Sequence, residues 1–325
     1  MKHGTIPETG ALRAHDSRFA AMLGPSPQLV RVAETDAHEG PVYVPAENAL
    51  YFTTVPHFGN SGPEVAIRRL ALDDDRLPLN GEREAGVKAS ANAANGMTLG
   101  RGDDLLVCEQ GTRSTPARIS RVDRITGESS TVVDSWRGLP FNSPNDVVMK
   151  GDGTIWFTDP SYGRLQGFRP EPRAGDHVYR HDPSTGMTTV VADDFDKPNG
   201  LAFSPDESKL YVGDSGANQE PGSYYAHRPH HLRVFDVTDG GYLANGRIFA
   251  VTTPGFPDGL KVDARGRVYA SPSTGVQVFD ADGDLIGEIA VAGAVNCTFG
   301  GPDRNVLFIT NDTAVWAAVF DSKGA

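Results

Sequence analysis

One hairpin phrase recurs six times along this 325-residue chain, and each copy opens on a side chain that carries an oxygen donor. The copies read Glu39-Gly-Pro-Val-Tyr-Val, Asn95-Gly-Met-Thr-Leu, Asn145-Asp-Val-Val-Met, Asn199-Gly-Leu-Ala-Phe, Asp258-Gly-Leu-Lys-Val and Asn296-Cys-Thr-Phe. Each passes through a Gly- or Asp-rich turn into a second β-rich run, such as Ala49-Leu-Tyr-Phe-Thr, Thr154-Ile-Trp-Phe-Thr or Lys209-Leu-Tyr-Val. Successive starts lie 56, 50, 54, 59 and 38 residues apart. Units of this size that are rich in strands predict an all-β, six-bladed β-propeller with four-stranded blades. Large apolar residues alternate between turn signals throughout, and no segment carries sustained helical periodicity.

The ends of the chain predict how the ring closes. A lone strand at 28–33 precedes the first phrase, and 29 residues follow Asn296, too few for a full blade. Pairing the two ends in one blade closes the ring and removes its open edges. The expected organisation is an N-terminal extension over 1–27 and a single propeller domain over 28–325. Gly/Pro/Arg-rich segments at 165–176 and 219–229 follow the second strands of repeats three and four. Loops leaving those strand ends are expected to overhang one face.

Thirty basic residues stand against forty-two acidic ones, a formal charge of −12 without a basic stripe, which argues against nucleic acid as a partner. No apolar run approaches the ~18 residues of a membrane span. No charged leader followed by an apolar core opens the chain. The expectation is a cytoplasmic protein with no membrane partner; oligomeric state is unreadable. Cys108 and Cys297 both sit in apolar runs and read as buried free thiols of a reducing compartment.

In a propeller the innermost strand of each blade lines the central channel, so six phrase starts in register converge at one mouth. Glu39 and Asp258 bring two carboxylates, which balance a divalent ion. The amides of Asn95, Asn145, Asn199 and Asn296 add oxygen ligands without adding repulsion. All-oxygen donors suit a hard cation, calcium first, with magnesium or manganese as alternatives. Asn-Gly and Asp-Gly are also ordinary turn dipeptides. Turn formation, however, does not require a donor at the start of every inner strand. Counting gives a second ring: Glu109 and Asp159 lie fourteen residues after Asn95 and Asn145, and Asp214 fifteen after Asn199. Such groups hold ligands, act as acid or base, or cap strand ends.

The phrases together resemble the SMP-30/gluconolactonase/LRE-like family, its bacterial gluconolactonase branch in particular. The resemblance rests on Glu39-Gly-Pro, Ser143-Pro-Asn-Asp-Val-Val, Ile155-Trp-Phe-Thr-Asp-Pro-Ser-Tyr-Gly, Lys197-Pro-Asn-Gly-Leu, Pro257-Asp-Gly-Leu and Thr298-Phe-Gly-Gly-Pro-Asp, in that order. It implies one divalent metal in the channel mouth, with Ca2+ first and Zn2+, Mn2+ or Mg2+ as alternatives. The implied metal ligands are Glu39, Asn145, Asn199 and Asp258, and the implied substrate is a small-molecule lactone. Substrate contacts are expected from Asn95, Asn145, Glu109 and Tyr162. The implied reaction is hydrolysis of a sugar (aldono-) lactone such as gluconolactone, with the metal polarising the lactone carbonyl and a base activating water. Asp258 is the expected base, with unligated Asp214 or a hydroxide supplied by the metal as the alternatives. A hydrolase of the diisopropyl-fluorophosphatase kind and a non-catalytic calcium-binding propeller are the competing readings. The chain departs from the family at Cys108-Glu-Gln-Gly, where Cys-Glu-His-Gly is common, so Gln110 cannot titrate in that place.

Overall fold

The second strand of each repeat is apolar on both faces because it stands between two sheets. In Ala49–Thr53, Leu50 and Phe52 pack against one neighbouring sheet while Ala49 and Tyr51 pack against the other. Successive side chains of a strand point to opposite faces, so a strand buried on both sides reads as an unbroken apolar run. Six such sheets surround an axis, and six apolar clusters fill the spaces between neighbouring sheets. The protein is an all-β six-bladed propeller. Its computed structural model describes residues 11–59, 62–72 and 85–320.

The innermost strands are Val42–Val44, Ala94–Leu99, Val147–Met149, Pro198–Phe203, Leu260–Val262 and Asn296–Gly300, and they define blades one to six in that order. Within each blade the chain steps outward through antiparallel strands. Gln28–Glu34 pairs with Ala314–Val319, so a strand from before the first repeat and the last strand of the described chain share blade six. Cys108 and Cys297 are free thiols buried in two different inter-blade cores.

Among the described residues two short α-helices interrupt the β pattern, and neither is long enough to leave a periodic signature in the sequence. Ser17–Leu23 is capped by Asp16, whose carboxylate accepts from Arg18 N at 2.7 Å. Just before it, Leu12–Ala14 adds a fifth strand to blade five, and Gln28–Glu34 follows in blade six. The helix thus straps the outer edges of blades five and six together. Phe19 and Met22 point into the core between those blades, and Arg18 pairs with Asp280 of blade five. The other helix, Tyr162–Leu165, lies in the connection 160–176 of blade three.

Because Phe19 is fully buried, Phe19→Ala is expected to destabilise the protein by about 3–5 kcal/mol. Urea unfolding followed by tryptophan fluorescence measures this. A loss under about 1 kcal/mol would mean that the strap contributes little to the seam.

Candidate functional site

The six phrase starts meet at one mouth because neighbouring blades are stitched together there. Thr53 Oγ1 lies 3.1 Å from Glu39 O and 3.2 Å from Asn95 O, joining blades one and two. Gly96 N donates to Asn145 O at 2.7 Å, and Thr158 Oγ1 to Asn199 O at 2.8 Å. Gly200 N donates to Asp258 O at 3.1 Å and Gly259 N to Val295 O at 2.9 Å. Thr310 Oγ1, 2.6 Å from His38 O and 3.2 Å from Asn296 O, completes the circle. The glycine after the donor serves this close approach. A Cβ at Gly96 would stand 2.5 Å from Asn145 O, and one at Gly200 2.5 Å from Asp258 O.

Inside this circle Glu39, Asn95, Asn145, Asn199 and Asn296 are buried, and Asp258 is partly exposed. Asn296 Nδ2 donates to Glu39 Oε2 at 2.7 Å, while its own Oδ1 accepts from Cys297 N at 2.7 Å. The Asp258 carboxyl lies within hydrogen-bonding reach of the Asn199 amide and of Glu39. Burial first, and the neighbouring Asp258 charge second, push the Glu39 carboxyl well above the usual carboxylate range. Burial likewise raises Asp258, against the hydrogen bonds from Asn199 and Glu39. Asn145 Oδ1 and Asn199 Oδ1 are buried and find no hydrogen-bond partner among the described residues. Asn95 Oδ1 accepts from Gly96 N at 3.1 Å. Among the described residues no three His, Cys, Asp or Glu gather at metal-binding spacing.

In the second ring Asp159 and Asp214 face backbone N–H groups, and Glu109 faces side chains. Asp214 Oδ1 accepts from Lys197 N at 2.9 Å and Gly216 N at 3.2 Å, and Oδ2 from Asp196 N at 3.1 Å. Asp159 holds Asn142 N and Ser143 N at 2.9 and 2.8 Å. Glu109 takes Arg118 Nε at 2.8 Å, Arg118 Nη2 at 3.1 Å and Ser120 Oγ at 2.7 Å. In these positions the three carboxylates fix the segments that lead into, or return from, the ring. Tyr162 is buried, with its hydroxyl unpartnered among the described residues, beside Asn199, Ser215 and the Asp258 charge.

Sequence reasoning missed three features of the mouth. Asp146, next to Asn145, is 1 % exposed, and its Oδ2 has no partner among the described residues. Burial raises its carboxyl, and the Lys261 charge opposes that shift. Its place in the Pro-Asn-Asp run was the available signal. His38 Nδ1 and Asp312 Oδ1 stand 2.6 Å apart. Lys197 Nζ donates to Asp176 Oδ2 at 2.7 Å, linking blade four to the long connection of blade three.

The arrangement has counterparts. The SMP-30/gluconolactonase/LRE-like profile matches residues 37–313. A gluconolactonase of Zymomonas mobilis subsp. mobilis is 31% identical over 321 residues, covering 93% of this chain and 83% of that protein. The pentonolactonase XacC of Haloferax volcanii is 29% identical over 289 residues, covering 87% and 84%. The solved structure of XC5397 from Xanthomonas campestris, described as a gluconolactonase, superposes with a TM-score of 0.80 at 32% identity, covering 97% of this chain and 96% of that one. With the fold, the repeat phrases and their ring in common register, this chain belongs to the SMP-30/gluconolactonase/LRE-like family.

Proposed function

We propose that this chain is a metal-dependent lactonase that hydrolyses sugar lactones of the gluconolactone type. One observation carries the reading. Two amide oxygens, Asn145 Oδ1 and Asn199 Oδ1, are buried without partners among the described residues at the mouth where the Glu39 and Asp258 carboxyls meet. Buried polar atoms are nearly always paired, so such a set calls for a ligand. Two anionic and two neutral oxygens fit a divalent hard cation, with calcium first and zinc, manganese or magnesium as alternatives. The relatives named gluconolactonase and pentonolactonase support a lactone substrate.

The chain's residues divide the work. Glu39, Asn145, Asn199 and Asp258 hold the ion, and Asn296 orients Glu39. The chemistry that a bound divalent ion supplies here is polarisation of the lactone carbonyl and neutralisation of the charge that develops on its oxygen. Asp258 is partly open to the mouth, whereas Glu39 is closed in by Asn296. A carboxylate oxygen of Asp258 therefore takes the proton of the attacking water. The ring C–O bond then breaks, and the proton passes to the departing ring oxygen to give the hydroxy acid. Asp214, with both oxygens bound to backbone N–H groups, acts by holding the turn that presents Asn199. Asn95 Nδ2 and the Tyr162 hydroxyl orient the substrate's hydroxyls. Glu109 contributes by fixing the strand that ends beside Gln110.

Chelator-stripped protein assayed on glucono-δ-lactone, before and after return of each ion, tests the reading. Activity lost on stripping and regained with calcium is the expected result; undiminished turnover after stripping would remove the metal from the mechanism. Asp258→Asn and Asn199→Ala should each lower kcat/KM by roughly a hundredfold or more while leaving the circular dichroism spectrum unchanged.

Calcium binding gives two further readouts. At a hundred times its Kd, calcium should add about 2.7 kcal/mol to unfolding stability. Asn296→Ala should weaken calcium binding by about 10–100-fold in titration calorimetry, the range seen when a group that orients a metal ligand is lost. Unchanged affinity would mean that Asn296 does not position Glu39.

A further inference from the structure

We propose that Arg169 is a positioning residue for the lactone reaction: it holds the Tyr162 hydroxyl at the channel mouth by tying two mouth segments to its guanidinium and the turn after Tyr162 to its backbone N–H. The proposal rests on the reading that Tyr162 contacts substrate there. Arg169 is 6 % exposed, an unusual place for an arginine. Its Nε donates to Asn142 O at 2.8 Å and its Nη2 to Phe141 O at 3.0 Å. Its Nη1 donates to Thr112 O at 2.6 Å and Thr115 O at 3.1 Å. All four acceptors are backbone carbonyls. Two belong to the loop that follows Gln110, and two to the run that leads into Asn145.

The same residue closes on Tyr162 from the other side. Gly163 O accepts from Arg169 N at 2.9 Å and from Phe168 N at 3.0 Å, and Gly163 N donates to Ser143 Oγ at 2.9 Å. A Cβ on Gly163 would stand 2.3 Å from Arg169 Cγ, so the turn after Tyr162 packs directly on the arginine stem. Tyr162 is thereby fixed at its backbone, while its hydroxyl, 7 % exposed as a residue, has no partner among the described residues. A buried hydroxyl held in place without a partner is suited to donate to an oxygen of a polyhydroxylated lactone. Burying a cation is costly unless its donors are met, and the planar fork of arginine meets four carbonyls of two segments at once where the ammonium of lysine cannot.

A double-mutant cycle on the calcium-loaded full chain tests this, with glucono-δ-lactone turnover and gluconate binding by calorimetry as readouts. Tyr162→Phe and Arg169→Lys should each lower kcat/KM about tenfold, the loss of one hydrogen bond. Gluconate binding should weaken in parallel, and calcium affinity should stay as in the wild type. Combined, the two changes should do no more than Tyr162→Phe alone, because Arg169 acts through that hydroxyl. Should Arg169→Lys unfold the protein, Gly163→Ala displaces the same arginine stem and should show the same coupling.

Multiplying effects in the double variant would overturn the proposal, since Arg169 would then act elsewhere. A wild-type rate in Tyr162→Phe would also overturn it while leaving the lactonase reading intact. A wild type that neither turns over lactone nor binds gluconate would instead remove the lactonase reading, and the proposal with it.

Discussion

The circle of hydrogen bonds at the channel mouth is the constraint on which the rest of the structure depends. Six sheets meet there with so little space that backbone must touch backbone, as Gly96 N on Asn145 O and Gly200 N on Asp258 O illustrate. That closeness dictates the phrase. A glycine or another residue that admits the approach follows the donor, and a threonine hydroxyl spans the gap at Thr53, Thr158 and Thr310. Farther out, the wedge between neighbouring blades widens and is filled by apolar clusters. The donor side chains are thus held on a rigid scaffold before any ligand arrives, which is the condition for preorganised chemistry.

Holding them there has an electrostatic consequence. Glu39, Asp146 and Asp258 crowd the same buried volume, and burial raises all three carboxyls. Hydrophobic packing gains nothing from such a cluster, and a structural core would not need it. Some of the charge is balanced locally: Lys261 stands near Asp146, and Asn296 donates to Glu39. The Asn145 and Asn199 amide oxygens remain unpaired among the described residues. On the proposed reading, a dication gives the Asn145 and Asn199 oxygens the partner they lack, and its binding energy adds to the stability of the fold.

What the sequence revealed follows from what repeats. Inner-strand donors recur at a fixed place in each phrase, so six residues scattered over 258 positions could be assigned to one mouth from register alone. The same counting placed Glu109, Asp159 and Asp214 at returning strand ends. It could not show that their oxygens face the backbone N–H groups and side chains of adjoining segments. Arg169 and Asn296 were harder still. Arg169 matters through carbonyls at 112, 115, 141 and 142, and Asn296 through Glu39 at the other end of the chain. Nothing periodic marks contacts of that kind. The strap helix Ser17–Leu23 is two turns long, too short for a stripe to emerge.

The mouth itself is lopsided, and that bears on which carboxyl meets water. Connections between the second and third strands run over 160–176 in blade three and 215–230 in blade four, but only over 271–275 and 311–313 in blades five and six. Both long ones are braced on the segment that leads into the inner strand of blade four, Asp176 on Lys197 at 2.7 Å and Arg228 on Asp196 at 2.9 Å. Tyr162 sits at the base of the first. Asp258 belongs to blade five, on the low side of this wall, and is partly exposed while Glu39, Asn95, Asn145, Asn199 and Asn296 are all buried. On the proposed reading, a substrate resting against the high wall leaves the low side to solvent. The carboxyl on that side is Asp258, the residue to which the proposed mechanism gives the proton of the attacking water.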